Sequence, residues 1–130
     1  MCQEKLNAVD ESVIKAVGLF GGGVARSRNV CGALLGATAA VSSMYSRGNL
    51  EEKEDPRMWE LGAKVVKKFE EMTAAHGGIR CEDIARVDFS DPDAVKQFRA
   101  DPESRRKYCF QAVGGMAQLV GELIDGGTSK

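Results

Sequence analysis

From Asn29 to Ser46 the chain carries no charged residue, and glycine, alanine and serine fill much of the stretch. A helix of that composition has no polar face to show to water, so it belongs at the centre of a bundle with other helices packed round it. Gly32, Gly36, Ala40 and Ser43 follow one another at steps of four and three. Small residues at that spacing leave a flat groove where another backbone can approach closely. Asn29, Thr38, Ser42 and Ser43, with so many glycines and alanines, keep the stretch too weakly hydrophobic for a membrane span.

Directly before it stands Gly21-Gly22-Gly23-Val24-Ala25-Arg26-Ser27-Arg28. A glycine triplet can fold into a tight turn and leave backbone N–H groups bare. Ser27 or Asn29 then offers a cap for the central helix, which places Cys31 in its first turn. At a helix start the unpaired N–H groups and the dipole favour a thiolate, and Arg26 and Arg28 would act in the same direction if they fold back. The opposing reading is that Cys31 is a small buried hydrophobe, the usual role of a cysteine in a Gly/Ala-rich helix.

The other elements follow from periodicity and stop signals. Asp10-Glu11 opens a short helix with Val13, Ile14, Val17 and Phe20 on one stripe, ended by the glycines. Asp55-Pro56 opens a longer one, whose Met58, Trp59, Leu61, Val65, Val66, Phe69 and Met72 form a core stripe. Gly77-Gly78 ends it, with His76 as a helix C-terminal residue. Ile79 to Ile84 makes at most one helical turn. Asp91-Pro92 and Asp101-Pro102 repeat the cap-plus-proline signal, for a short helix and a long last one. In that last helix Cys109, Val113, Met116, Val120 and Leu123 share a face, and Gly126-Gly127 closes it. The expectation is an all-α fold: a single domain over 1–130, built as a bundle of four to five helices around the central Gly/Ala-rich helix.

Composition narrows the partners. With 18 basic and 19 acidic residues the net charge is −1, which carries no footprint for nucleic acid or an anionic membrane. The start, Met1-Cys2-Gln3-Glu4-Lys5, lacks the basic-then-apolar pattern of a signal peptide, so the expected compartment is the cytoplasm. In a reducing compartment the four cysteines, Cys2, Cys31, Cys81 and Cys109, serve more readily as metal ligands or working thiols than as structural disulfides. No C-x-x-C pair occurs, and the single histidine, His76, has no ligand partner one turn away.

Taken together these cysteines resemble a family of small redox-active proteins named for its cysteine pattern: one cysteine, then C-G-A-x-x-G, then two more single cysteines. Cys31-Gly32-Ala33-Leu34-Leu35-Gly36 carries the central motif, Phe20-Gly21-Gly22-Gly23 resembles the family's F-G-G-G turn, and Cys81 and Cys109 stand at its third and fourth positions. Cys2 lies closer to the glycine turn than the family's first cysteine does. The resemblance implies redox chemistry with no settled substrate. It also extends to a domain of split-Soret-type cytochromes, where similar cysteines are thought to hold an iron–sulfur centre. This chain has no C-x-x-C-H for c-type haem.

Three functions are therefore expected, in this order. The first is an iron–sulfur or other metal centre for electron transfer, with Cys31, Cys81, Cys109 and, least closely fitted to the pattern, Cys2 as ligands. Gly21, Gly22 and Gly23 would donate hydrogen bonds to that cofactor, and Arg26 and Arg28 would offset its negative charge. With Cys2 outside the site, three ligands remain per chain and a cluster shared across a homodimer becomes the alternative. The second function is thiol–disulfide exchange without metal, using Cys31, Cys81 and Cys109 as redox thiols. The third is a helical interaction module whose cysteines are structural. No catalytic acid–base pair is visible, and the sequence names no substrate or electron-transfer partner.

Overall fold

The structure, a computed structural model, describes residues 1–128. It is all-α. Among the described residues seven α-helices follow in order: α1 (Cys2–Lys5), α2 (Glu11–Ala16), α3 (Gly32–Tyr45), α4 (Arg57–Thr73), α5 (Cys81–Ile84), α6 (Pro92–Ala100) and α7 (Arg106–Thr128), with 3₁₀ turns at Gly18–Phe20 and Ala74–His76. The only β feature among the described residues is an isolated antiparallel bridge between Val30 and Arg80.

The uncharged helix α3 packs against both α4 and α7, which also touch each other, so it occupies the centre as its composition requires. Leu34, Ala37 and Val41 from α3, Val65 and Phe69 from α4, and Ala112, Met116, Val120 and Ile124 from α7 form one buried cluster with Ile84. The groove expected along α3 is used at its first position. A Cβ on Gly32 would stand 2.6 Å from the Phe20 carbonyl oxygen, so only glycine lets the chain before the turn lie against the helix start. At Gly36 nothing lies within 4 Å, because that glycine opens onto the cavity described below.

Several expected boundaries shift. Neither Ser27 nor Asn29 caps α3; the cap position is Cys31 itself, and the Asn29 amide donates to Ser27 Oγ instead. The Asp55 carboxylate accepts the Arg57 N–H at 2.9 Å, so it does the work of a cap although α4 begins after Pro56. Trp59 does not join the core: it is 69% exposed, with its indole N–H donated to Glu54. The stripe on α2 is likewise open, with Val13 and Ile14 exposed. Gly126-Gly127 does not stop α7, which continues to Thr128. No helix among the described residues is long and apolar enough to cross a membrane.

Candidate functional site: a cavity lined by four cysteines

The Val30–Arg80 bridge sets the geometry of the site. Cys31 N–H donates to the Ile79 carbonyl at 3.0 Å, and Cys81 N–H donates to the Asn29 carbonyl at 2.6 Å. These bonds hold the entry to α3 beside the entry to α5, so two cysteines distant in sequence begin adjacent helices. Cys109 approaches from the first turn of α7. Cys2, the first residue of α1, packs against the main core, and α1 is tied to α7 by an ion pair between Lys5 and Asp125 at 2.9 Å. All four cysteines, unpaired and contributed by four different elements, line a single cavity of about 510 Å³. Its remaining walls are almost wholly apolar, with Phe20, Phe89 and Phe98 among them, and the glycine turn forms one side.

That turn is left-handed over five residues. Gly22 and Gly23 have φ of +67° and +68°, and Val24, Ala25 and Arg26 continue at +67°, +52° and +63°. Left-handed conformation costs a residue with a side chain about 1–2 kcal/mol, and a β-branched valine adopts it rarely. Backbone bonds from Ala25 to Leu19, from Arg28 to Gly22 and from Asn29 to Gly23 hold the run closed, and Ser27 Oγ donates to the Gly23 carbonyl at 2.8 Å. Gly23 is buried, and a Cβ there would meet the Cys81 Cβ at 2.5 Å and the Asn29 backbone at 2.7 Å. The N–H groups of Gly22 and Gly23 donate to no acceptor among the described residues. They sit in the wall of a cavity that has little else polar to offer a guest.

The thiols of Cys31, Cys81 and Cys109 are held protonated, not activated. Burial pushes the Cys31 thiol above its ordinary value, against the smaller pull of the Ala33 and Leu34 N–H groups at the helix start. Burial also dominates at Cys81, which is pushed up to about 11, with Cys109 and then Cys31 adding to the rise and Arg28 opposing it. Cys109 is raised by burial and by Cys31, with Arg105 and Arg106 opposing. The thiolate expected from the start of α3 is therefore overridden by desolvation, the larger effect in an apolar wall. Cys31, Cys81 and Cys109 share the lining of one cavity.

The two arginines of the glycine turn part company. Arg28 acts on Cys81, whereas Arg26 lines a second, separate cleft. Arg80 is committed to Asn29 Oδ1 at 2.9 Å and to Glu82 at 3.0 Å. Among the described residues no three His, Cys, Asp or Glu side chains stand close enough together to hold a metal ion.

A family model described as "Putative redox-active protein (C_GCAxxG_C_C)" matches residues 1–123. The chain belongs to this family. The matched span includes all four cysteines. The family's descriptor writes its central motif Gly-Cys-Ala-x-x-Gly, while this member reads Cys31-Gly32-Ala33-Leu34-Leu35-Gly36. Here the glycine must stand at 32, where the Phe20 carbonyl leaves no room for a side chain. Comparison with curated proteins and with solved structures gives no match.

Some of the site carries no sequence signal. Phe89 and Phe98 read as ordinary apolar residues near α6, yet both reach the cavity. Arg105 is also unmarked in the sequence. Its guanidinium donates to the Ile84 and Asp83 carbonyls at 2.8 and 3.3 Å and lies 3.1 Å from His76 Nδ1, fixing the end of α5 against the start of α7 beside Cys109. A half-buried arginine satisfied by carbonyls is found only once the elements are assembled.

Proposed function

We propose that this redox-active family member is an electron-transfer protein whose working centre is the cysteine-lined cavity, built to hold an iron–sulfur cluster or a related polynuclear thiolate-bound metal centre. The observation that carries this is the convergence of Cys2, Cys31, Cys81 and Cys109 on one cavity of about 510 Å³. The donor set is four thiols with no carboxylate or imidazole among the lining residues, which suits soft metal centres and matches the usual ligand count of a cluster. The spacing argues against a mononuclear ion such as zinc, since no three donors close round one point. A larger group reaches ligands spread round a wider space.

Under this reading each part of the chain has a task. The four cysteines hold the centre, and one chain supplies the full set, so sharing across a dimer is not required. Gly22 and Gly23 offer free N–H donors toward its sulfurs, and Arg28 offsets part of its negative charge, both of which raise a reduction potential. Apolar walls surround the ligands. When bound, such a centre supplies one-electron transfer at a potential set by these surroundings. Because the Cys31, Cys81 and Cys109 thiols are held protonated, loading must release protons and becomes easier as pH rises. Four unpaired cysteines suit a reducing compartment such as the cytoplasm.

Thiol–disulfide exchange is the second reading, favoured by the presence of Cys31, Cys81 and Cys109 in the lining of one cavity. Two of these thiols would then pass two electrons and two protons to an external disulfide. Their raised pKa values work against it, because the thiolate is the attacking form.

Anaerobic reconstitution with iron and sulfide separates the readings. Visible absorption with bound iron and acid-labile sulfide, lost in Cys31→Ser and Cys81→Ser while far-ultraviolet circular dichroism is retained, is the expected result. A colourless protein that reversibly loses two thiols on mild oxidation supports exchange. A colourless protein whose thiols do not change reduces the chain to a helical interaction module with structural cysteines.

A further inference from the structure

We infer that the cleft between α6 and the left-handed turn binds a phosphate-bearing small molecule with a flat apolar ring, the chemistry of a nucleoside diphosphate. The cleft is an open surface depression of about 610 Å³ and borders the cysteine cavity through Phe89, which lines both. Its floor is one face of α6. Pro92, Val95, Lys96, Arg99 and Ala100 fall at the spacing that brings side chains to the same side of a helix. Arg26 faces them from the turn, and Phe89 closes the end.

Charge gives the cleft its selectivity. Three of its seven lining residues, Arg26, Lys96 and Arg99, are cationic, and none is acidic. In a chain of net charge −1 that is a marked local excess. Ion pairs among the described residues use Lys5, Arg57, Arg80, Lys107 and the N-terminal amine, and none uses these three side chains. Their side-chain nitrogens make no hydrogen bond in the described structure either. Unpaired cations facing one another repel, and a polyanion between them removes that cost while gaining charge-assisted hydrogen bonds, which the planar guanidiniums make in pairs to phosphate.

The other half of the cleft is apolar: Phe89, Pro92, Val95 and Ala100. Bare phosphate would leave this surface wet, whereas a ring against Phe89 covers it. A concave site with an apolar wall and a few convergent charges, of this volume, is the form taken by small-molecule sites. The inference uses no cysteine and stands whether or not a metal centre is present.

The test is calorimetric titration of the full chain, at one fixed low salt concentration, with ADP, inorganic pyrophosphate and adenosine. ADP should bind, pyrophosphate should bind about fivefold or more weakly, and adenosine should show no measurable heat. Lys96→Gln and Arg99→Gln, both at exposed positions, should each weaken ADP by about tenfold. Lys67→Gln, on the outer face of α4, should leave ADP binding unchanged. Absence of ADP binding at millimolar concentration overturns the inference. So does ADP affinity indifferent to Lys96→Gln and Arg99→Gln, an equal loss in Lys67→Gln, or pyrophosphate binding as tightly as ADP.

Discussion

Gly23 is where the turn, the bridge and the cysteine cavity meet, and three demands fall on it together. Its φ of +68° is a conformation that side chains disfavour, its Cβ position is occupied by the Cys81 Cβ at 2.5 Å, and the Asn29 backbone closes the other side at 2.7 Å. Neither neighbour can give way cheaply, because Asn29 and Cys81 are joined by the 2.6 Å bond that sets the site. Gly23→Ala should therefore destabilise the fold by about 2–4 kcal/mol in urea denaturation. Gly77 is the control: its φ is +97°, yet nothing lies within 4 Å of its Cβ position. Gly77→Ala should cost only the conformational part, about 1 kcal/mol. Equal losses at the two glycines would mean that contact with Cys81 contributes nothing. Three consecutive glycines announce a special backbone to a sequence reader. They do not reveal that the left-handed run continues through Val24, Ala25 and Arg26, where backbone bonds to the carbonyls of Leu19, Phe20 and Gly21 hold it.

Among the helices, the two Asp-Pro signals show how far local rules reach. At Asp91-Pro92 the signal reads true: the Asp91 carboxylate accepts from the Asp93 and Ala94 N–H groups at 3.0 and 3.2 Å, and α6 begins at Pro92. At Asp101-Pro102 the same chemistry gives only a turn. Asp101 accepts from Glu103 N–H at 2.8 Å, but Ser104 Oγ donates back to the Phe98 carbonyl at 2.7 Å and accepts from Arg106 N–H at 3.3 Å. Ser104 thus ends the turn and starts α7 a few residues later than the proline suggests, a diversion set by contact with α6. The central position of α3, the stripe of α4 and the order of the helices were legible from pattern because each follows from burying an apolar face. The exposed Val13 and Ile14 show the limit, since α2 has an apolar stripe and no element covers it. Asp91→Ala should cost about 1 kcal/mol in urea denaturation. Because α6 carries Lys96 and Arg99, the same change should loosen ADP binding without altering the free-thiol count. A loss of stability much below that figure would mean that Pro92 alone fixes the helix start.

Across the whole molecule, the site is a cost that the fold bears. Cys81 is only 8% exposed, and after burial itself Cys109 and Cys31 raise its thiol further. A thiol whose folded pKa lies above its unfolded one keeps its proton in the native state after the unfolded chain has lost it. The unfolded state then binds fewer protons, so stability falls as pH rises. For the reduced, metal-free protein the contribution is fully present below the ordinary thiol value of 9.0 and is lost progressively as pH climbs towards about 11. The loss from Cys81 alone is on the order of 2 kcal/mol. Urea denaturation of reduced protein at pH 8 and at pH 10.5 should show this fall, and Cys81→Ala should flatten it. A profile equally steep in Cys81→Ala would place the titrating group elsewhere. Four cysteines in the sequence suggest a shared chemistry, but not this penalty. The penalty arises because helices built to bury α3 also surround the sulfurs of Cys31, Cys81 and Cys109, leaving a pocket that favours these thiols neutral until something replaces their protons.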